Sequence, residues 1–346
     1  MKRIYLHIGH FKTGTSAIQQ FCSDNREMLL AHDVDYLSTA RPTNNPSNHG
    51  KLSLSLFSRF AGKIPEWYDD ADDFAEVAAS VRREIENSAC SKIIVSSEEF
   101  YRYARLDEQS SSTAISELRA LFSGYEVRVI MHLRAPLDFM KSWYNQLNKA
   151  PVPRRRFTDV FYHLDDSMLI PQLTAEFWRK CFGPGCMIVR PYVQEKSGHL
   201  ERFFKLIDVD LVEDDPLPQA TVNEKRSESD LEFDRLRKIL SLDDPEKQRK
   251  YLNSTVLQGV EAFNALEQKV ARVNRHFEEF CLVEGLQFPG SEFAVSDLLV
   301  HEECVNPKDV ILSEGLWPNM APPAPEPDPP APPGFWKSIL QRVSPE

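Results

Sequence analysis

The stretch that most limits what this chain can fold into is Tyr5 to Gln20, YLHIGHFKTGTSAIQQ. A short apolar strand (Ile4, Tyr5, Leu6, Ile8) runs into Gly9, then a loop, then residues that read as a helix start. Strand, glycine-bearing loop and helix point free backbone N–H groups and the positive end of a helix dipole at one spot. Lys12 adds a cation there, Gly14 lets the backbone come close, and Thr13, Thr15 and Ser16 add hydroxyl donors. The expectation is a cradle for a phosphate-like anion; the plain alternative is a βα turn with an exposed lysine. A nucleoside-triphosphate loop reads G-x-x-x-x-G-K-[ST], with lysine after the second glycine. Here Lys12 precedes Gly14, so that pattern is not met.

The remaining periodicity predicts an α/β fold, a central parallel sheet flanked by helices. Val34 to Leu37 reads as a short strand. Lys92 to Ser96 (KIIVS) and Glu126 to Leu133 (EVRVIMHL) are runs of the kind buried on both faces of a parallel sheet. Cys186 to Arg190 gives a further strand. Helical spacing marks Ser16–Ala31, Ala71–Ala89, Ser112–Phe122, a segment opened by Pro136 and running to about Lys149, one ending at Phe182, and Gly198–Ile207. Strands alternating with helices imply right-handed parallel crossovers. Leu231–Leu240 and Val256–Phe280 add a helical C-terminal part. Residues 1–316 are read as one α/β domain, 317–334 as a Pro/Ala-rich linker and 335–346 as a short apolar-basic tail.

With 346 residues the chain can bury a full core. Its net charge of −11 argues against tracking nucleic acid, so an anion site must be a local concentration of cations. The six cysteines are scattered without CxxC pairs and read as reduced structural thiols. No stretch is long enough to span a bilayer, and the N-terminus does not resemble a signal peptide. A cytoplasmic protein is expected; the segment Gly334 to Val343 offers a peripheral contact with the inner face of a membrane or with a partner.

A second constellation follows the strand Glu126–Leu133. Arg134 stands at its end, then Ala135 and Pro136, with Ser142 and Tyr144 on the next helix. Parallel strands bring their C-terminal ends to one sheet edge, so Arg134 is expected beside the Lys12 loop. A planar guanidinium and a nearby hydroxyl can grip one phosphate; alone, the same residues would read as a helix-capping arginine and a solvent-facing serine.

The two motifs together resemble the sulfotransferases that use 3′-phosphoadenosine-5′-phosphosulfate (PAPS). K-T-G-T-S is similar to their 5′-phosphosulfate loop. LRAPLDFMKSWYNQ is similar to their R-x-P-x-x-x-x-x-S-x-Y segment, with Arg134, Pro136, Ser142 and Tyr144 on the matching positions. The resemblance covers roughly residues 3 to 230 and implies the P-loop-NTPase-like sulfotransferase fold. It further implies that Lys12, Thr13, Gly14, Thr15 and Ser16 serve the 5′-phosphosulfate and that Arg134 and Ser142 hold the 3′-phosphate. A sulfuryl group carries less charge than a phosphoryl group, so positioned cations and backbone donors suffice and no metal is expected.

The base that takes the acceptor proton is expected just past the strand Lys92–Ser96, at Glu98 of SSEEF. Cytosolic sulfotransferases carry a histidine there; carboxylate bases occur in the carbohydrate enzymes. The alternative for Glu98 is an acid favoured by a helix dipole. His49, in the polar loop RPTNNPSNHG, is the rival base, or else a surface residue; His10 lies inside the loop. Arg154–Arg156 reads as a solvated turn or an attractor for an anionic acceptor, and Val222–Ser229 as a capping loop or a cover over the nucleotide. The resemblance implies a carbohydrate or glycolipid acceptor. The competing readings are a phosphotransferase using ATP and magnesium, and a non-catalytic nucleotide-binding adaptor.

Overall fold

The computed structural model of the protein describes residues 1–60, 64–65, 68, 72–192, 198–211, 226–305 and 310. The expected linker and tail lie outside the described residues. Five strands, β1 (Arg3–His7), β2 (Val34–Tyr36), β3 (Lys92–Ser96), β4 (Glu126–Leu133) and β5 (Met187–Pro191), form one sheet in the order β2-β3-β1-β4-β5. Every neighbouring pair is parallel. The α/β class with helices around a parallel sheet is therefore the architecture of the chain.

The order of strands sets where a ligand can bind. From β1 the chain moves outward on one side to β2 and β3, then crosses to β4 and β5 on the other. In open parallel sheets such a reversal is where ligands commonly bind, which here is the C-terminal end of β1, between its two neighbours. His7, the last residue of β1, is level with Ser96 of β3 and with Ile130 of β4. β4 runs on to Leu133, so Arg134 starts further out than the β1 loop.

Helices follow in the expected places at α1 (Thr15–Asp24), α2 (Arg26–Ala31), α4 (Phe74–Asn87), α5 (Glu108–Leu121) and α6 (Pro136–Leu147), and α3 (Gly50–Phe57) is one that the sequence reading did not include. Then come α7 (Phe157–His163), α8 (Pro171–Phe182), α9 (Gly198–Lys205), α10 (Glu228–Leu240), α11 (Pro245–Leu252), α12 (Val260–Glu284) and α13 (Val295–Glu303). The single helix expected over Ser16–Ala31 is two, parted at Asn25, whose side chain donates to Phe21 O at 2.9 Å. Such a side-chain bond competes with helix continuation. A 3₁₀ helix, Glu98–Arg105, follows β3; the Ser97 hydroxyl caps it by accepting from Glu99 N–H.

The described chain forms two compact units. The first takes in Met1–Trp143, Leu164–Glu224 and Arg272–Ser291 and contains the sheet. Period-two alternation puts Tyr5, Ile94 and Ile130 on one sheet face, packed with Ile18, Phe21, Leu29, Phe203 and Phe204. The second takes in Tyr144–His163, Lys225–Ala271 and Glu292–Glu346. Among its described residues, the Asp159 carboxylate caps the turn Ser254–Val256 and the buried Arg235 guanidinium pairs with Glu232. No helix among the described residues is long and apolar enough to cross a membrane. All six cysteines are unpaired, five of them buried.

Candidate functional site

The loop after β1 is made by backbone geometry. Gly9 (φ 64°), Lys12 (φ 67°) and Gly14 (φ 74°) all take the left-handed conformation. Only glycine does so without cost, so Lys12 is held there by its surroundings. Thr13, fully buried, locks the turn: its Oγ1 donates to His10 O at 2.6 Å and accepts from His10 N–H at 3.3 Å. Gly14 is the N-cap of α1. A Cβ at Gly9 would lie 2.7 Å from Thr15 Oγ1, and one at Gly14 2.7 Å from His199 Nε2. Both glycines are therefore required by space as well as by φ.

Two features of this loop suit an anion. The N-terminus of α1 carries no side-chain cap, and the N–H groups of an uncapped helix start are the kind that can donate to an anion. Thr15 Oγ1 is buried without a hydrogen-bond partner among the described residues. Buried polar atoms normally have one, so this hydroxyl fits a cradle whose remaining partner is the bound group. Ser16 is exposed at the same helix start.

Arg134 comes to this loop from β4. Its Nη1 donates to Lys12 O at 3.0 Å, and its guanidinium lies over the Tyr192 ring, 5.1 Å from the centroid. Burial lowers its pKa from the ordinary arginine value. Tyr192 N–H in turn donates to Leu133 O at 2.6 Å. The two cationic residues that sequence reasoning placed at one sheet edge are thus joined there. Ser142 lies about two turns into α6, half-buried. Tyr144 is buried, its hydroxyl donating to Arg155 O at 3.1 Å.

Glu98 is beside the loop. Its Cβ is 3.5 Å from where a Gly9 Cβ would stand. One carboxylate oxygen, Oε2, accepts from Gln19 Nε2 at 2.9 Å and from Asn48 Nδ2 at 3.0 Å. Glu99, the next residue, faces elsewhere: it is buried against Arg102, and burial pushes its pKa up to about 7. Arg102 stacks over Phe11 of the loop, 5.1 Å from the ring centroid.

His49 occupies a different kind of place. It is fully buried, with Nδ1 accepting from Ser96 N–H at 3.0 Å and Nε2 donating to Leu37 O at 2.9 Å. Burial lowers its pKa to about 4. Both nitrogens are spent on the ends of β2 and β3, which leaves none to meet an acceptor. His10 is likewise walled in, stacked on Phe139 (4.2 Å) and Tyr101 (4.6 Å), with Nε2 on Met168 O at 3.0 Å. Burial takes its pKa down to about 4.

Three more imidazoles underlie the loop: His7, His132 and His199, in successive ring contact at 5.4 and 5.2 Å. Burial lowers all three, His7 to about 3 and His199 to about 4. They are neutral near pH 7 and put no charge against the loop. Of the basic run, Arg154 donates to Leu147 O and Arg156 to Leu252 O, so two of its three guanidiniums hold carbonyls. Within Val222–Ser229, residues 222–225 lie outside the described residues; Ser227 caps α10 in a capping box with Asp230.

Sequence reasoning did not single out Gln19, Asn48, Tyr192 or His199. Gln19 and Asn48 lay inside stretches already marked, each a few residues from a named candidate. Nothing local in the sequence points to Tyr192 or His199, which reach the loop only through the β5–α9 return. The chain matches no family model and no curated protein.

Proposed function

We propose that the chain is a sulfotransferase that moves a sulfuryl group from PAPS to a hydroxyl of a carbohydrate or glycolipid, in the cytoplasm. The observation that carries this reading is the meeting of Lys12 and Arg134, from two separated motifs, over an uncapped helix start at the switch point of the sheet. Lys12, Thr13, Gly14, Thr15 and Ser16 would hold the 5′-phosphosulfate, and Arg134 with Ser142 the 3′-phosphate. The unpartnered Thr15 hydroxyl and the close-packed Gly9 and Gly14 fit such a group.

PAPS supplies an activated sulfur whose bond to the 5′-phosphate oxygen breaks as the acceptor oxygen bonds to it. Lys12 and the α1 N–H groups stabilise the charge left on the departing phosphate. Glu98 takes the proton of the acceptor hydroxyl. Glu98 rather than His49 has this role because it retains an oxygen without a partner among the described residues, whereas both His49 nitrogens are engaged.

Calorimetric titration with adenosine 3′,5′-bisphosphate, alongside ATP with magnesium, tests the reading. Tight metal-free binding of the bisphosphate, weakened in Lys12→Ala and in Arg134→Ala, is the expected result. Binding of ATP with magnesium alone would overturn it in favour of a phosphotransferase. Truncation after Met320 separates enzyme from adaptor, since an enzyme keeps its turnover without the proline-rich end.

A further inference from the structure

We infer that Gln19 and Asn48 are positioning residues that grip the Glu98 carboxylate by one oxygen and leave the other to accept a proton. The inference rests on the sulfotransferase reading, in which Glu98 is the base. Three segments distant in sequence supply the group: α1 gives Gln19, the polar loop before α3 gives Asn48, and the start of the 3₁₀ helix gives Glu98. Gln19 is 1% exposed and Asn48 fully buried. Both amides turn their nitrogens to the same oxygen, Oε2, at 2.9 and 3.0 Å.

The way Asn48 is satisfied shows which bond the fold favours. Its Nδ2 also reaches Gln19 Oε1 at 3.4 Å, which fixes the sense of both amides. Its Oδ1 is then buried without a partner among the described residues. Leaving a buried acceptor unpaired is costly, and flipping the amide would present oxygen to a carboxylate instead. His49 locks the neighbouring backbone: its N–H donates to Ser96 O at 2.9 Å while its ring holds Ser96 N–H and Leu37 O. The rival candidate thereby becomes the pin that presents Asn48.

The donors are neutral. No ion pair to Glu98 occurs among the described residues, and the titratable groups around it are Tyr36, Glu99 and, behind Ser96, His7. Burial raises Tyr36 well above its usual range and keeps His7 neutral, and Glu99 pairs with Arg102. Amide donors orient the carboxylate through one oxygen, whereas an arginine fork would hold both oxygens and leave none to take a proton.

The test needs no acceptor. The full chain is labelled with glutamate carrying ¹³C at the side-chain carboxyl, and the Glu98 resonance is identified by its loss in Glu98→Gln. Gln19→Met and Asn48→Leu keep volume and remove the donors; in each, the Glu98 carboxyl signal at one fixed pH is expected to move from its place in the unmodified protein and to broaden, because a carboxylate held by one amide samples more orientations. Asn48→Asp, which sets a second carboxylate against the first, is expected to move it further. Each variant is checked for an unchanged melting transition, and any one that folds suffices. A signal unchanged in position and width in the folded variants overturns the inference, because amides that do not hold the carboxylate would leave its surroundings alone. Bisphosphate binding is measured on the same samples. Failure of the unmodified chain to bind strikes the sulfotransferase reading and the role of Glu98 with it. Binding without any movement of the Glu98 signal strikes the positioning role alone.

Discussion

The loop after β1 and the carboxylate after β3 stand at the same edge of one parallel sheet, and they are made differently. The loop is local: three left-handed residues, two of them glycine, and an uncapped helix start, all between Gly9 and Ser16. Its donors are mostly backbone N–H groups, which any sequence carries, so a short pattern of glycine, lysine and hydroxyl residues suffices to specify it. The carboxylate site is assembled from side chains about 30 to 80 positions apart, brought together by the pairing of β1 with β3 and of β3 with β2. The shape of a loop can be written into one turn of chain; the surroundings of a carboxylate cannot.

That contrast makes the two regions separable by experiment. The largest effect is expected at the carboxylate: Glu98→Gln should slow release of adenosine 3′,5′-bisphosphate from PAPS in the presence of acceptor by roughly 10²–10⁴-fold. Bisphosphate affinity should stay at the unmodified value, since the cradle is intact; a variant that loses affinity and turnover in step would merge the two regions into one.

Gly14→Ala should do the opposite, damaging the loop itself. A left-handed φ and a Cβ 2.7 Å from His199 Nε2 together should cost about 2–4 kcal/mol in denaturant unfolding, with the bisphosphate site lost. Unchanged stability would mean that the loop accommodates a side chain and that its shape is not fixed by glycine.

Next in size, Lys12→Ala and Arg134→Ala should each weaken bisphosphate binding about 10–100-fold, the worth of one charge-assisted phosphate contact, with little effect on melting temperature. A loss confined to one of the two would assign the anion to one motif only.

The smallest effect concerns His49. Folding holds it neutral down to about pH 4, while the unfolded chain takes up its proton near pH 6.5. Stability present above pH 6.5 is therefore lost as pH falls toward 4, by about 2 kcal/mol at pH 5. Denaturant unfolding at pH 7.5 and pH 5 should show a smaller acid loss in His49→Gln; an identical loss would mean that this ring is not the buried pin described here.

Much of this was legible in the residues themselves. The β-branched runs of β3 and β4 have no polar alternation, so they must be buried on both faces, and the strand–loop–helix at Tyr5–Gln20 carries its own turn chemistry. Arg134 could be put at the loop edge because parallel strands share an edge. The break at Asn25 was hidden because a single side-chain bond to Phe21 O interrupts an otherwise helical face.

What the sequence alone determined is therefore the parallel α/β class and the strand–loop–helix after β1, since hydrophobic period and backbone conformation are local properties. Only the tertiary structure shows that the surroundings of Glu98 and His49 differ. Glu98 and His49 both follow or precede apolar segments and are equally polar in the sequence. Burial between β2 and β3 consumed both nitrogens of His49, while Gln19 and Asn48 left Glu98 an oxygen to spare. Desolvation and hydrogen-bond occupancy depend on which distant segments meet, and that is fixed only when the chain folds.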